Sequence, residues 1–167
     1  MDNKQISQIQ TSFTYKNVIY RVDWFDIDSE IPDITWQQVY AIGDINGKVP
    51  VVHYGNGDPD NLPGGKFEAG ENIEETLNRE IQEELNCEVI SWMPIGYQVV
   101  TKSDGSTVNQ LRVVAKMRPI GEFINDPGGS IIGHSLVALD DLNLHINYGS
   151  IGDRMVEISK IKLKTLE

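Results

Sequence analysis

The chain has 167 residues, 40% of them hydrophobic and 23% charged, a composition that predicts one globular domain with a substantial core. Its formal net charge of −11 argues against binding to a nucleic acid polymer or to an anionic membrane, because both depend on Lys and Arg to neutralise phosphates. The same acidity would repel a phosphorylated metabolite unless divalent cations lay between protein and phosphate.

Targeting and redox signals point to an intracellular protein. No stretch approaches the roughly 18 consecutive apolar residues that a membrane span requires. The first ten residues lack the basic and then apolar pattern of a secretory signal. Cys87 is the single cysteine, so the chain cannot form an internal disulfide. We therefore expect a cytoplasmic protein.

The N-terminal part of the chain predicts a flexible terminus followed by a strand. We expect residues 1–12 to be flexible and residues 13–167 to form a single domain. Apolar residues alternate with polar ones from Phe13 to Phe25, which predicts one strand. The acidic, proline-containing stretch 26–35 then predicts a loop.

A turn signal follows at Asn46-Gly47. Both central residues of a type I′ turn take positive φ, which Asn and Gly tolerate best. Trp36–Ile45 and Lys48–Tyr54 are therefore predicted to form a hairpin. Pro50 has no amide donor, which favours an edge position for the second strand.

A loop rich in Gly, Pro, Asp and Asn, residues 55–65, leads into a predicted helix. Asn72 lies where an N-cap belongs, with acidic residues close to the positive end of the helix dipole. Four apolar residues recur at i, i+4, i+8 and i+12, which predicts a stripe that faces a sheet: Ile73, Leu77, Ile81 and Leu85.

The rest of the chain predicts a second hairpin and a final helix. The predicted elements are a strand over 88–101, a turn at 103–106, a strand over 107–117, a polar loop over 118–130 and a helix over 152–164. Residues 131–141 stay open between strand and turn. Strands on both sides of a helix, with a second helix at the end, predict an α/β fold in which helices cover both faces of a sheet.

Acidic residues are concentrated around the first helix. Between Gly64 and Asn86 there are seven acidic and two basic residues, which supply about five of the eleven net negative charges. Glu80, Glu83 and Glu84 stand at i, i+3 and i+4, so their carboxylates share one helix face and repel each other. Hard oxygen ligands of this kind favour Mg²⁺ or Mn²⁺, and such ions commonly bind substrate phosphate.

The segment from Gly65 to Cys87 closely resembles the Nudix box, which is a glycine, five residues, a glutamate, seven residues and then R-E-U-x-E-E-x-G-U, with U aliphatic. Six fixed positions match: Gly65, Glu71, Arg79, Glu80, Glu83 and Glu84. Asn86 stands in place of the final glycine, where Asn accepts the left-handed conformation better than most residues. Cys87 takes the last aliphatic position as a small hydrophobic residue.

The resemblance implies a Nudix-like α/β/α sandwich with a mixed β-sheet between helices. It also implies hydrolysis of a diphosphate linkage in a nucleoside diphosphate joined to another moiety, with Mg²⁺ or Mn²⁺ as cofactor. Glu80, Glu83, Glu84 and the carbonyl of Gly64 would be the metal ligands, and Arg79 and Glu71 would form an ion pair that braces the loop against the helix.

The general base stays open between a box glutamate, Glu80 or Glu83, which we prefer, and an acid of a later loop, Glu122 or Asp126. Arg21 and Arg112 could meet substrate phosphate and Tyr97 could hold a nucleobase, with surface or packing roles equally open.

The expected partner is a small-molecule nucleotide, and a homodimer stays open. The alternative function is a non-catalytic nucleotide-binding sensor on the same fold. Loss of box carboxylates would favour that alternative, and none is lost.

Overall fold

A computed structural model describes residues 8–127 and 129–166. The described elements are β1 Ile9–Tyr15, β2 Val18–Asp26, β3 Gln38–Asp44, β4 Val49–Tyr54, β5 Gly64–Lys66, α1 Ile73–Leu85, β6 Cys87–Lys102, β7 Thr107–Pro119, β8 Ile131–Val137, a 3₁₀ turn Leu139–Asp141, α2 Leu142–Ile146 and α3 Gly149–Lys162. None of the helices among these residues is long and apolar enough to span a membrane.

The strands form one large sheet and one small one. Six strands pair in the order β1-β2-β6-β7-β3-β5, while β4 and β8 form a separate two-stranded ribbon. Within the large sheet β3 and β7 are parallel and the other neighbours are antiparallel. The sheet is therefore mixed, as expected.

Helices cover both faces of the large sheet because apolar side chains alternate along its central strands. On β3, Val39 and Ala41 pack in one core cluster with the apolar stripe of α1. Ile42 packs in the other cluster with residues of α2 and α3. This layering is an α/β/α sandwich and confirms the predicted fold class.

Local signals set both ends of α1. The side chain of Asn72 accepts a hydrogen bond from the N–H of Glu75, and the Glu75 carboxylate accepts one from the N–H of Asn72, so the N-terminus has a capping box. Asn86 ends the helix in the left-handed conformation at φ 51°. Three of the four predicted stripe residues are fully buried, namely Leu77, Ile81 and Leu85, while Ile73 in the first turn is half-buried.

The predicted single strand over Phe13–Phe25 is wrong, because a tight turn divides it. Lys16 and Asn17 have φ of 48° and 63°, and the flanking strands β1 and β2 pair antiparallel. Neither residue is glycine, so the turn had little sequence signal. The expected flexible terminus over 1–12 also differs, since β1 begins at Ile9 while residues 1–7 lie outside the described range.

The turn at Asn46-Gly47 is confirmed, with φ of 52° and 84°, but the predicted hairpin around it is wrong. Beyond a single bridge between Ile45 and Lys48, β4 leaves β3 and pairs with β8. The reason is that β7 and β5 already occupy both edges of β3. The ribbon has only two strands, so β4 is not a central strand, as expected from Pro50.

The C-terminal region holds one more helix than predicted. Residues 131–137 are strand β8, which settles the open interpretation of that segment. The short helix α2 precedes α3, which begins at Gly149 and ends at Lys162 instead of spanning 152–164. Asn147 separates the two helices in the left-handed conformation at φ 54°.

Candidate metal and phosphate site

Two glycines allow β5 to fit closely between β3 and α1. Gly64 has φ of 140°, and a Cβ there would lie 2.2 Å from the carbonyl oxygen of Val39. A Cβ on Gly65 would lie 2.6 Å from Glu80 Oε1. A side chain at Gly64 would therefore clash with β3, and one at Gly65 would push the strand away from the helix glutamates.

Glu84 points into this contact. Glu84 is only 7% exposed, and its Oε2 accepts a hydrogen bond of 3.1 Å from the N–H of Gly64. No basic residue in the described ranges pairs with it. A buried carboxyl without a cationic partner is costly to ionise.

Arg79 connects the other box residues. Its Nε donates to Glu71 at 2.6 Å, so the predicted ion pair is present, and its Nη2 donates to the carbonyl of Lys66 at 2.8 Å. Its Nη1 lies 2.9 Å from Glu80 Oε1 and 3.4 Å from Glu83 Oε2. Arg79 thus joins the loop before α1 to the glutamate face of the helix.

The carboxyl groups of the site differ sharply in their pKa. Burial is the largest cause that raises the pKa of Glu84, to about 9, with neighbouring carboxylates adding to the shift and the N–H of Gly64 opposing it. Burial also raises the pKa of Glu80, although Arg79 counters the shift. The hydrogen bond from Arg79 instead lowers the pKa of Glu71 to about 2.

The donor atoms suit a hard divalent cation. Three carboxylates and the backbone carbonyl of Gly64 provide oxygen atoms alone, as Mg²⁺ and Mn²⁺ prefer. In the ranges that the structure covers, no three such side chains already converge as metal ligands. Arg79 instead takes Glu80 and Glu83 as partners, while Glu84 turns to Gly64. The residues fit the ion, provided that Glu80 and Glu83 move away from Arg79.

The loop after β7 closes the site on one side. Asp126 raises the pKa of both Glu80 and Glu84, so it lies within electrostatic range of the box. Glu122 is exposed, and its backbone carbonyl accepts a hydrogen bond of 2.9 Å from Asn86 Nδ2. Between this loop and α1 lies a cavity of about 470 Å³, lined by Arg79, Gln82, Glu83, Asn86, Phe123, Ile124, Asn125 and Pro127.

The three residues suggested for substrate contact have different surroundings. Arg21 is an exposed partner of Asp23 on β2, with Nε 3.1 Å from Oδ2. Tyr97 is 6% exposed and stacks on Phe25. Arg112 is 1% exposed in the core, with its guanidinium 4.7 Å from the centre of the Tyr40 ring. Their proposed roles therefore stay predictions.

Several polar residues near the box carried no sequence signal. Thr76 is fully buried and donates to Glu71 Oε2 at 2.7 Å. The ionised form of Glu84 raises the pKa of Tyr40 and of Tyr54, although burial is the larger cause for both. Thr76 lies on α1 within the box itself, whereas Tyr40 on β3 and Tyr54 on β4 reach the box only through the tertiary fold.

Removal of the Glu71 carboxylate should reduce stability in a defined pH range. Its folded pKa of about 2 lies below the ordinary value of 4.5, so it stabilises the protein above pH 4.5, and this contribution disappears as the pH falls towards 2. Urea unfolding of Glu71→Gln should give a lower midpoint than the wild type at pH 6 and a converging midpoint near pH 2. Glu74→Gln, an exposed change on the same helix, should track the wild type throughout. A constant gap between Glu71→Gln and wild type would contradict the assignment.

The fold is an α/β/α sandwich, and its site is a glutamate-bearing helix that follows a glycine turn and is braced by Arg79. A comparison with known families gives the class of protein to which this combination belongs. A family model described as NUDIX domain matches residues 38–157. The chain belongs to the NUDIX domain family. A search of curated protein sequences finds no matching relative.

Solved structures share the fold at low sequence identity. The pyrophosphohydrolase BsRppH of Bacillus subtilis is 22% identical over 93% of this chain and 96% of its own, with a TM-score of 0.68. A NUDIX hydrolase from Nitrosomonas europaea is 19% identical over 80% of this chain and 97% of its own, with a TM-score of 0.58. An ADP-ribose pyrophosphatase from Streptococcus suis is 18% identical over 73% and 90%, with a TM-score of 0.50.

Proposed function

We propose that this protein is a metal-dependent hydrolase that cleaves a diphosphate linkage in a nucleoside diphosphate joined to another moiety. The observation that carries the proposal is the buried Glu84 carboxyl against Gly64, on the same helix face as Glu80 and Glu83. Such a carboxyl, without a basic partner in the described ranges, is most readily explained as a ligand for a cation.

A bound Mg²⁺ or Mn²⁺ would neutralise charge that develops on the phosphoryl oxygens. Glu80, Glu83, Glu84 and the carbonyl of Gly64 would hold it. Arg79 keeps the loop and helix in register through Glu71 and Lys66. Glu83 lines the 470 Å³ cavity, so its carboxylate is our preferred acceptor for the proton of an attacking water, with Asp126 as the alternative from the neighbouring loop.

A small nucleotide is the substrate class that this arrangement supports. The net charge of −11 disfavours long polyanions and makes cation bridging necessary for any phosphate ligand. The names of two solved structures with this fold, a pyrophosphohydrolase and an ADP-ribose pyrophosphatase, agree with this substrate class. The identity of the group beyond the diphosphate depends on residues outside the box.

A nucleotide panel tests the proposal. Purified protein is incubated with nucleoside triphosphates, nucleotide sugars, ADP-ribose and dinucleoside polyphosphates, in Mg²⁺ or in EDTA, and products are identified by phosphorus NMR. We expect cleavage of a diphosphate linkage in at least one compound in Mg²⁺ and none in EDTA, and we expect Glu83→Gln to cleave the same compound at least about 10²-fold more slowly. Binding of a nucleotide without any cleavage would contradict the hydrolase and favour a nucleotide sensor.

A further inference from the structure

The loop that carries Gly64 is anchored at Asn61. The backbone of Asn61 pairs with Val52 of β4 in both directions, at 2.9 and 3.2 Å. Its side-chain Oδ1 accepts hydrogen bonds from the N–H of Leu62, at 2.8 Å, and from the hydroxyl of Tyr148. Asn61 is therefore held by the ribbon on one side and by the C-terminal part of the chain on the other.

Only two residues separate this anchor from Gly64. Leu62 is fully buried, and the carbonyl of Pro63 accepts a hydrogen bond of 2.9 Å from the N–H of Ala41. Gly64 then pairs with Tyr40 of β3 and donates to Glu84. A segment this short transmits a displacement of Asn61 to Gly64, because proline and the buried leucine leave it little freedom.

Tyr148 reaches the loop from the opposite layer of the sandwich. It lies between α2 and α3, where its N–H donates to Asn143 Oδ1 at 2.9 Å. Its ring centre is 6.0 Å from the guanidinium of Arg112, which also stacks on Tyr40. Arg112 has no carboxylate partner among the described residues; its Nη2 donates to Gln110 Oε1 at 3.1 Å, and the two tyrosine rings add cation–π contacts.

We propose that Tyr148 is a positioning residue for the metal site. Its hydroxyl, acting through Asn61, holds the Leu62–Gly64 segment so that the carbonyl of Gly64 stays beside the helix glutamates. Arg112 fixes the Tyr148 ring from inside the core. The inference rests on the proposed function in one respect, namely the use of the Gly64 carbonyl as a metal ligand.

Tyr148→Phe tests this role, since it keeps the ring and removes the hydroxyl. A lost hydrogen bond of this kind corresponds to roughly a 3- to 10-fold change in an equilibrium constant. We expect the Kd for Mn²⁺, measured by electron paramagnetic resonance without nucleotide, to rise by about that factor. The Mg²⁺ concentration for half-maximal turnover should rise in parallel, whereas KM for the nucleotide at saturating metal should not change.

Tyr15→Phe is the matched control. It removes a tyrosine hydroxyl that bonds Asp58 Oδ1 at 2.8 Å in the same loop, but at the exposed surface and three residues before Asn61. Its Mn²⁺ affinity should equal that of the wild type. Asn61→Ala removes the other partner of the inner hydrogen bond, so its effect on Mn²⁺ affinity should overlap with that of Tyr148→Phe in the double variant. If Tyr148→Phe does not fold, Asn61→Ala alone carries the test.

One result would overturn the proposal. Unchanged Mn²⁺ affinity in Tyr148→Phe would remove the positioning role, and a higher nucleotide KM alongside it would instead make Tyr148 and Asn61 substrate contacts. Failure of the proposed function has a different signature, because Mn²⁺ affinity would then be insensitive to Glu84→Gln as well. If Glu84→Gln weakens Mn²⁺ binding and Tyr148→Phe leaves it unchanged, the positioning role alone is rejected.

Discussion

Replacement of Glu83 by Gln should lower kcat by about 10²-fold or more, the range that general acid–base groups contribute. The carboxylate lines the cavity beside α1 and lies 3.4 Å from Arg79, so the amide loses both the proton acceptor and the charge that a metal would meet. Initial rates at saturating Mg²⁺, on a nucleotide identified by the panel, provide the measurement.

Glu122→Gln is the control for this experiment, because Glu122 is exposed and accepts the hydrogen bond from Asn86 with its backbone carbonyl, which the substitution leaves in place. We expect nearly wild-type turnover. Wild-type turnover in both variants would dismiss both residues as the base. In that case Asp126→Asn becomes the decisive change, since Asp126 lies within electrostatic range of Glu80 and Glu84.

Glu84→Gln should stabilise the metal-free protein at alkaline pH. The folded carboxyl has a pKa of about 9 against an ordinary value of 4.5, so between these values the folded state binds more protons than the unfolded state. Wild-type stability therefore falls as the pH rises through this window, by at most about 1.4 kcal/mol per pH unit from this group. The glutamine variant lacks this dependence.

Urea unfolding in EDTA, followed by tryptophan fluorescence between pH 5 and pH 9, measures the difference. The gap in unfolding free energy should grow in favour of Glu84→Gln towards pH 9. Adding Mg²⁺ should stabilise the wild type at high pH and the variant much less. Parallel curves for the two proteins in EDTA would show that the Glu84 carboxyl titrates normally.

The helix and its glutamate face could be predicted because their signals are local. Asn72 at the N-cap, the apolar stripe through Leu85 and the left-handed Asn86 all act within a few residues of their own position. The Arg79–Glu71 ion pair could be inferred as well, though only from the resemblance of the box to a family. Spacing along one helix is enough to bring carboxylates to a common face.

The pairing of β4 and the surroundings of Arg112 could not be predicted in the same way. The partner of β4 lies about 80 residues further along the chain, and its choice depends on which edges of β3 are already taken. Alternation along β7 indicates that Arg112 points away from Leu111, but it does not show that Tyr148 covers that face. The turn at Lys16-Asn17 escaped prediction because Asn17 is its only turn-favouring residue and no glycine accompanies it.

The most direct test of the proposed metal site is a Mn²⁺ titration without nucleotide, monitored by electron paramagnetic resonance. Wild-type protein should bind Mn²⁺, Glu83→Gln and Glu84→Gln should bind it at least about tenfold more weakly, and Glu74→Gln on the exposed side of the same helix should match the wild type. Equal Mn²⁺ affinity in all four proteins would contradict the claim that the glutamates of α1 form the metal site.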